Sequence, residues 1–299
     1  MASNAAIQLA AGRAGSALRK ADGYALFWGL PLALWQLVFF LAPVFFLIVM
    51  TFWTVKNFRL APDFDTVNWV NMFSKSYVID TYFRTLWYGA LAAIVVSVLA
   101  FPASYALAFK ASPTVQRIGI FMLITPFFTS YLVRVYSWQT VLSDHGLINS
   151  LFGLVGLGPF DILNTLIGTL VGYLTLTLPL VILLQFFSMS NVDKNLIEAA
   201  HNLGCGRLRT VFLVIVPSAK IGIILAGTFA FILCFGDVVS PVSLGGSKPP
   251  TLGILIVGKV KQGNNWPRAA VVAVVMGLTL IVTAFTALYF AYGVKKEKT

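Results

Sequence analysis

The sequence predicts an all-α integral membrane protein with six transmembrane helices, and three observations lead to this prediction. Of the 299 residues, 59% are hydrophobic and only 10% are charged, whereas charged residues make up about 25% of a typical soluble domain. The mean hydropathy is +0.87. The charges are also so unevenly distributed that long intervals contain none. The basic excess, 21 Lys and Arg against 10 Asp and Glu, is not gathered on a soluble face, which argues against a nucleic-acid-binding protein.

The charge-free intervals give the spans in order. A charge at mid-bilayer costs about 2.5–3.5 kcal/mol on insertion scales, and a spanning helix needs about 20 apolar residues. Four intervals are long enough alone, and the third and fifth become so when weakly charged neighbours are added. The predicted spans are 26–53, 85–109, 118–142, 165–189, 218–239 and 269–293. The first is too long for the apolar core of a secretory signal, about 7–15 residues.

The positions of Lys and Arg predict that both termini are cytoplasmic. With the N-terminus inside, the inward segments contain 12 Lys or Arg in 66 residues and the outward segments 8 in 85. Cytoplasmic loops carry such an excess of basic residues. The expected organisation is therefore a tail over 1–22, a membrane domain over 23–294 and a tail over 295–299. The Ala-, Gly- and Ser-rich start also has the composition of an organellar transit peptide.

The sequence contains no motif that predicts an enzyme or a metal site. Cys205 and Cys234 lie at different depths and cannot pair easily, while His145 and His201 fall on opposite sides of the membrane. Residues 253–260 have the spacing of a phosphate loop, but a valine stands where Ser or Thr must reach magnesium. We therefore expect no catalytic residue, metal or cofactor in this chain.

The longest inward loop, 190–217, has more regular spacing than a simple connector. Ser190 and Asp193 predict a capping box for a helix that begins near Asn191. Gly204 is expected to end that helix in the left-handed conformation. One side of the helix is small and apolar: Leu196, Ala199, Ala200 and Leu203.

A second short helix is predicted over 208–216, before Pro217. The first helix, with its small apolar side, could lie in the headgroup interface, pack under the protein's own helices, or form a docking knob for another protein. In the third interpretation Glu198 offers its charge to a partner's arginine, and Gly204 sets the angle between the two helices.

Together, Glu198-Ala199-Ala200, three residues, Gly204, nine residues and Val214-Ile215-Val216-Pro217 resemble the EAA loop of ABC importer membrane subunits, EAA-x3-G-x9-I-x-L-P. The spacing is complete, with Val at the Ile and Leu positions. The resemblance implies the type I ABC importer permease fold, with the loop as a coupling helix in a cleft of a cytoplasmic ATPase. The residues implied in ATPase coupling are Glu198, Ala199, Ala200 and Gly204.

That family implies several partners: a second permease subunit of different sequence, two ATPase subunits that bind the ATP and magnesium, and a solute-binding protein. A closer resemblance is to the spermidine/putrescine branch, through residues 132–138, 146–149, 235–241 and 244–246. It implies a polyamine or similar small cationic solute. The alternatives are another small organic solute, such as an opine or an amino-acid derivative, or an ion-coupled secondary transporter of a different class.

Two ionic residues lie closest to the membrane interior, where such groups are functional candidates. Asp237 ends the fifth span, where a carboxylate suits a cationic solute, or else is simply a water-exposed helix end. The aromatic rings of Tyr131, Tyr136 and Trp138 can attract an amine by cation–π contact, about 0.5–2 kcal/mol each. For Arg134 we expect a structural role, because a fixed cation repels a polyamine.

Spans two to five contain residues that modify helices, which persist in lipid where neighbouring helices or a cavity satisfy the backbone. These residues are Pro102, Pro126, Pro179, Gly222, Gly227 and Gly236. Gly168 and Gly172 form a GxxxG pair, which predicts close helix approach at the fourth span.

Overall fold

The protein is described by a computed structural model that covers residues 27–56, 59–261 and 264–293. The predicted tails, 1–22 and 295–299, lie outside these residues. In chain order the helices are α1 (Phe27–Met50), α2 (Val67–Phe73), α3 (Ser76–Phe109), α4 (Pro113–Ile124), α5 (Tyr131–Val141), α6 (Leu147–Gly153), α7 (Leu166–Ser190), α8 (Lys194–Asn202), α9 (Arg207–Ser218), α10 (Lys220–Gly236), α11 (Val239–Ser243), α12 (Leu252–Lys261) and α13 (Trp266–Tyr292). Two short strands, β1 (Thr54–Lys56) and β2 (Arg59–Ala61), pair antiparallel with Val55 opposite Leu60.

Four unbroken helices of the described part are long and apolar enough to cross a membrane: α1, α3, α7 and α13. The number rises to six if the bent pairs α4–α5 and α9–α10 each count as one span. Helix α3 begins at Ser76, earlier than the predicted span, because it includes a polar end with the exposed Asp80.

The third predicted span, 118–142, is not one helix. Helix α4 passes into a 3-10 turn over Thr125–Phe128, and α5 then leaves at 96°. Pro126 has no backbone N–H to continue the α-helical pattern, and Thr129 and Ser130 are extended. The bend directs the start of α5 toward α11.

Helix α1 contains a π-helical turn, Leu37–Leu41, just before Pro43. A proline inside a helix removes one backbone donor, and the wider turn accommodates that loss. No residue in the most hydrophobic stretch of α1 is buried within the described chain. Most of its apolar side chains are therefore left uncovered by the rest of the described chain.

Helices α3, α7 and α10 pack together as the centre of the molecule. Their buried side chains are small or branched at the contact: Val96, Ala100, Val181, Ala226 and Ala230. Gln185 is fully buried there, and its Nε2 donates to the Ser97 carbonyl at 3.1 Å. Its Oε1 lies 3.3 Å from the Ser104 hydroxyl. Small residues allow close approach, and the polar groups join the helices inside the membrane.

The close approach predicted for the GxxxG pair is confirmed. A Cβ on Gly168 would lie 2.5 Å from the Leu244 carbonyl oxygen, and one on Gly172 would strike the Ser240 side chain. The partner is the short helix α11 and the turn after it, not another span. This contact holds α11 against α7.

Candidate functional site

The first candidate site is the inward loop, and its first helix begins later than predicted. Helix α7 continues through Ser190, and α8 starts only at Lys194. The Asp193 carboxylate accepts the backbone N–H of Asn195 at 2.9 Å and caps the helix. The expected capping by Ser190 is therefore wrong, because Ser190 still belongs to the preceding helix. The N-terminal dipole further favours the Asp193 carboxylate.

Gly204 ends α8 as predicted. Its φ is +80°, a conformation that favours glycine. The Gly204 N–H donates to the His201 carbonyl at 2.9 Å, and the Cys205 N–H donates to the Ala200 carbonyl at 3.0 Å. These two bonds form the Schellman arrangement that closes a helix end.

The apolar side predicted for α8 is divided in the structure. Ala200 is buried against the protein, whereas Ala199 is exposed. Leu196 and Leu203 are also exposed. Glu198 does not share the face of Ala199: it lines a groove between α8 and the end of α3. The side chains of Glu198, Ala199 and Ala200 therefore have three different surroundings, and Gly204 forms the end of the helix.

Helix α9 is longer than the predicted 208–216 and includes a π-helical turn, Val211–Ile215, before Pro217. It meets α10 at 77°. Buried Val192, Val211 and Ile215 pack the loop onto the ends of the spans. The loop and α10 are thus in continuous contact through one small apolar core.

The second candidate site is centred on Asp237, where α10 ends and the backbone becomes extended. The predicted fifth span is therefore too long at its C-terminal end. The side chain is 9% exposed, so a water-exposed helix end is not what the structure has. One carboxylate oxygen accepts the Tyr131 hydroxyl at 2.7 Å and the Ser240 N–H at 3.1 Å. The other accepts the Val239 N–H at 2.9 Å.

Of the predicted aromatic residues, only Tyr131 joins Asp237. Its hydroxyl also contacts the Ser240 hydroxyl. Trp138 is half-buried and packs against the same apolar cluster as the Tyr131 ring, but it makes no hydrogen bond to Asp237, and Tyr136 is exposed. Ser240 was not among the predicted site residues. The sequence did contain a signal: when an aspartate caps a helix, its carboxylate accepts the backbone N–H two or three residues later, and Ser240 lies three residues after Asp237.

Sequence reasoning also missed Tyr173, which is fully buried beside Ala92 and Cys234. The Tyr173 hydroxyl has no hydrogen-bond partner in the part of the chain that the structure describes. No pattern in the sequence distinguishes this tyrosine from an ordinary core aromatic residue.

Arg134 ties α5 to α7, which agrees with the structural role expected of it. Its Nη1 donates to the Thr175 carbonyl at 2.9 Å, and its guanidinium carbon lies 5.8 Å from the centre of the Tyr131 ring. Thr175 is four residues before Pro179, so its carbonyl is the one that the proline leaves without a helical donor. Arg134 supplies the missing donor and thereby anchors α5 to α7.

Comparisons with known proteins agree with one another. The family model for binding-protein-dependent transport system inner membrane components matches residues 103–294. The spermidine/putrescine transport system permease protein PotB of Haemophilus influenzae is 27% identical over 260 residues, covering 86% of this chain and 89% of PotB. PotB of Escherichia coli K12 is 27% identical over 255 residues, covering 83% of this chain and 92% of PotB.

Among solved structures, a similar fold is found in a bacterial ABC transporter involved in the import of the acidic polysaccharide alginate. The TM-score is 0.70 at 16% identity, and the match covers 93% of this chain and 97% of that one. At this identity the likeness concerns the fold alone.

Proposed function

We propose, from the premise that this chain belongs to the family of binding-protein-dependent transport system inner membrane components, that its solute is a polyamine such as spermidine or putrescine. The chain is an inner-membrane permease subunit of an ABC importer, and the resemblance found in its sequence is thereby confirmed. The observation that carries the choice of solute is the likeness to PotB over 86% of the chain.

The chemistry at Asp237 supports a cationic solute. The three donors to its carboxylate are a phenol hydroxyl and two backbone N–H groups, all uncharged. The one ion pair among the described residues joins Lys56 to Asp63, so Asp237 has no basic partner there. A buried carboxylate without a counter-ion attracts an amine. We propose that a solute amine reaches it when α5 and α11 separate.

We propose six spans with both termini cytoplasmic, each bent pair counting as one span. The density of Lys and Arg in the inward segments supports this orientation. It places the loop over 190–217 in the cytoplasm and the Asp237 end of α10 toward the outer side. The membrane domain then extends over 23–294, with cytoplasmic tails over 1–22 and 295–299.

We propose alternating access at the interface with a second, non-identical permease subunit. A solute-binding protein delivers the solute from outside, and two ATPase subunits bind the ATP and magnesium. Helix α8 docks on an ATPase through Ala199 and the neighbouring exposed surface. Glu198 offers its charge to an arginine of the ATPase, buried Ala200 holds α8 against the membrane domain, and Gly204 sets the angle between α8 and α9. The 77° junction of α9 with α10 transmits the movement to the Asp237 region.

The test is uptake of labelled spermidine by proteoliposomes that contain the complete transporter, its binding protein and internal ATP. Asp237→Asn removes the charge and keeps the shape, and we expect it to lower uptake by on the order of 10-fold or more. Asp161→Asn is the matched control, because Asp161 is exposed. If both variants transport spermidine as the wild type does, the role of Asp237 is wrong.

The solute itself is tested separately by equilibrium binding to the purified binding protein. We expect spermidine or putrescine to bind and an opine to fail to compete. Tight binding of an opine or an amino-acid derivative with no binding of polyamines would overturn the polyamine assignment and leave the permease role intact.

A further inference from the structure

A groove of about 330 Å³ lies between α8, the start of α9 and the cytoplasmic end of α3. Its inner wall is apolar and is formed by Tyr105, Phe109, Ile197 and Ile215. These side chains also pack around the small buried core beneath the loop. The wall is therefore a fixed part of the fold.

The polar side of the same groove is basic. Lys110, Lys194 and Arg207 line it with His201, against the single carboxylate of Glu198. None of these groups takes part in an ion pair within the described ranges, where the pairing found is Lys56 with Asp63. Three basic side chains against one carboxylate make the groove suited to an anion.

The groove opens where the chain leaves the hydrocarbon layer. Lys110 directly follows α3, a spanning helix of 34 residues. The other sides of α9 expose large apolar residues: Leu208 at 76%, Phe212 at 66% and Leu213 at 60%. Exposed apolar side chains beside the end of a spanning helix suit the inner boundary of the bilayer, and the proposed topology places α9 there.

We propose that this groove binds the headgroup of an anionic phospholipid of the inner leaflet. The lipid phosphate lies among Lys110, Lys194 and Arg207, and an acyl chain follows the apolar wall beside Phe109. Basic pockets between helices on the cytoplasmic side recognise such headgroups. The inference rests on the cytoplasmic placement of the loop under the proposed function, and not on the identity of the solute.

Other occupants fit the charges less well. The segments outside the described residues, 1–26 and 294–299, each contain three Lys or Arg against one acidic residue, so they do not complement a basic groove. Under the proposed function an ATPase contacts the exposed side of α8 that carries Leu196, Ala199 and Leu203, none of which lines the groove. Of the proposed coupling residues, Glu198 alone lines the groove, and the three cations are not among them. The lipid site therefore leaves the main ATPase contact free.

The experiment measures lipid retained by the complete transporter, purified from bilayers of equal phosphatidylglycerol and phosphatidylethanolamine and analysed by native mass spectrometry. The test variant is Lys110→Gln with Arg207→Gln. The matched control is Arg117→Gln with Arg209→Gln, which removes two exposed cations from the same two regions outside the groove. Arg207→Lys with Lys110→Arg keeps the charge and reports on local folding.

We expect phosphatidylglycerol to be retained in preference to phosphatidylethanolamine by the wild type, by the control pair and by the charge-preserving pair. The test variant should lose on the order of 10-fold in retained phosphatidylglycerol. If the test and control pairs lost equal amounts of phosphatidylglycerol, the retention would depend on surface charge in general, and the proposed site would be wrong. Equal retention of the two lipids by the wild type, or no retained lipid, would also overturn it. Spermidine binding to the purified binding protein does not depend on these variants, so the assignment of the solute and the lipid site are tested independently.

Discussion

At the scale of single residues, the contact between Arg134 and the Thr175 carbonyl shows how a broken helix is repaired inside a membrane. Pro179 removes the N–H that would have bonded this carbonyl. In lipid there is no water to replace it, and an unsatisfied backbone group costs several kcal/mol. A guanidinium 41 positions earlier in the sequence supplies the donor.

We predict that Arg134→Met lowers the free energy of unfolding by about 1–3 kcal/mol, the usual cost of a buried group left without its partner. Pro179→Ala in the same chain restores the N–H and should recover much of that loss. Thermal unfolding of the purified transporter in detergent measures both. Additive effects of the two substitutions would contradict this account, since a shared carbonyl requires coupling.

At the scale of elements, backbone hydrogen bonds around Gly204 close the end of α8 and set the direction in which the chain continues to α9. The neighbouring Gly206 caps α9 with an ordinary φ of −66°. A Cβ at either glycine would meet nothing within 4 Å. The two positions therefore differ in backbone conformation and not in available space.

We predict that Gly204→Ala uncouples transport while Gly206→Ala does not. A non-glycine residue in the left-handed conformation costs about 1–2 kcal/mol, enough to fray the end of α8. Solute-stimulated ATP hydrolysis by the complete transporter should fall at least several-fold in the first variant and stay near wild type in the second. Equal behaviour of the two would show that the angle of α8 is not set by Gly204.

The contact of α7 with α11 leads to a second prediction at this scale. Gly172→Ala places a methyl group against Ser240, and overpacking of this kind typically costs about 1–3 kcal/mol. Gly277→Ala in α13 meets nothing within 4 Å and serves as the control. We expect Gly172→Ala to unfold at a lower temperature than Gly277→Ala. Equal melting temperatures would contradict the prediction and show that α11 moves aside without strain.

At the scale of the whole molecule, the charge-free intervals predict where helices lie but not how they bend. Pro126 indicates a weak point in the third span, yet the 96° turn depends on how α5 packs against α7 and α11. The end of α8 could be predicted from Gly204 alone, because the left-handed conformation of this one residue ends the helix. Tyr131 and Asp237, 106 positions apart, meet only through tertiary packing. The expected grouping of Ala199 with Ala200 failed because the sequence does not show which side of α8 the core covers.

The orientation of the chain is also predicted at this scale. In spheroplasts of a Cys205→Ser strain, a membrane-impermeant maleimide should label Phe64→Cys, since Phe64 is 87% exposed in a predicted outer segment. In the wild type the half-buried Cys205 should react only after permeabilisation, and the buried Cys234 not at all. Labelling of Cys205 in intact spheroplasts would reverse the proposed topology.

The repair of the Thr175 carbonyl by Arg134 has a consequence for related sequences. A chain with the arginine and without the proline has two donors to that carbonyl, whereas a chain with the proline and without the arginine leaves it without a donor in lipid. We therefore expect relatives with a proline at the position of Pro179 also to have an arginine at the position of Arg134, and the proline without the arginine to be rare.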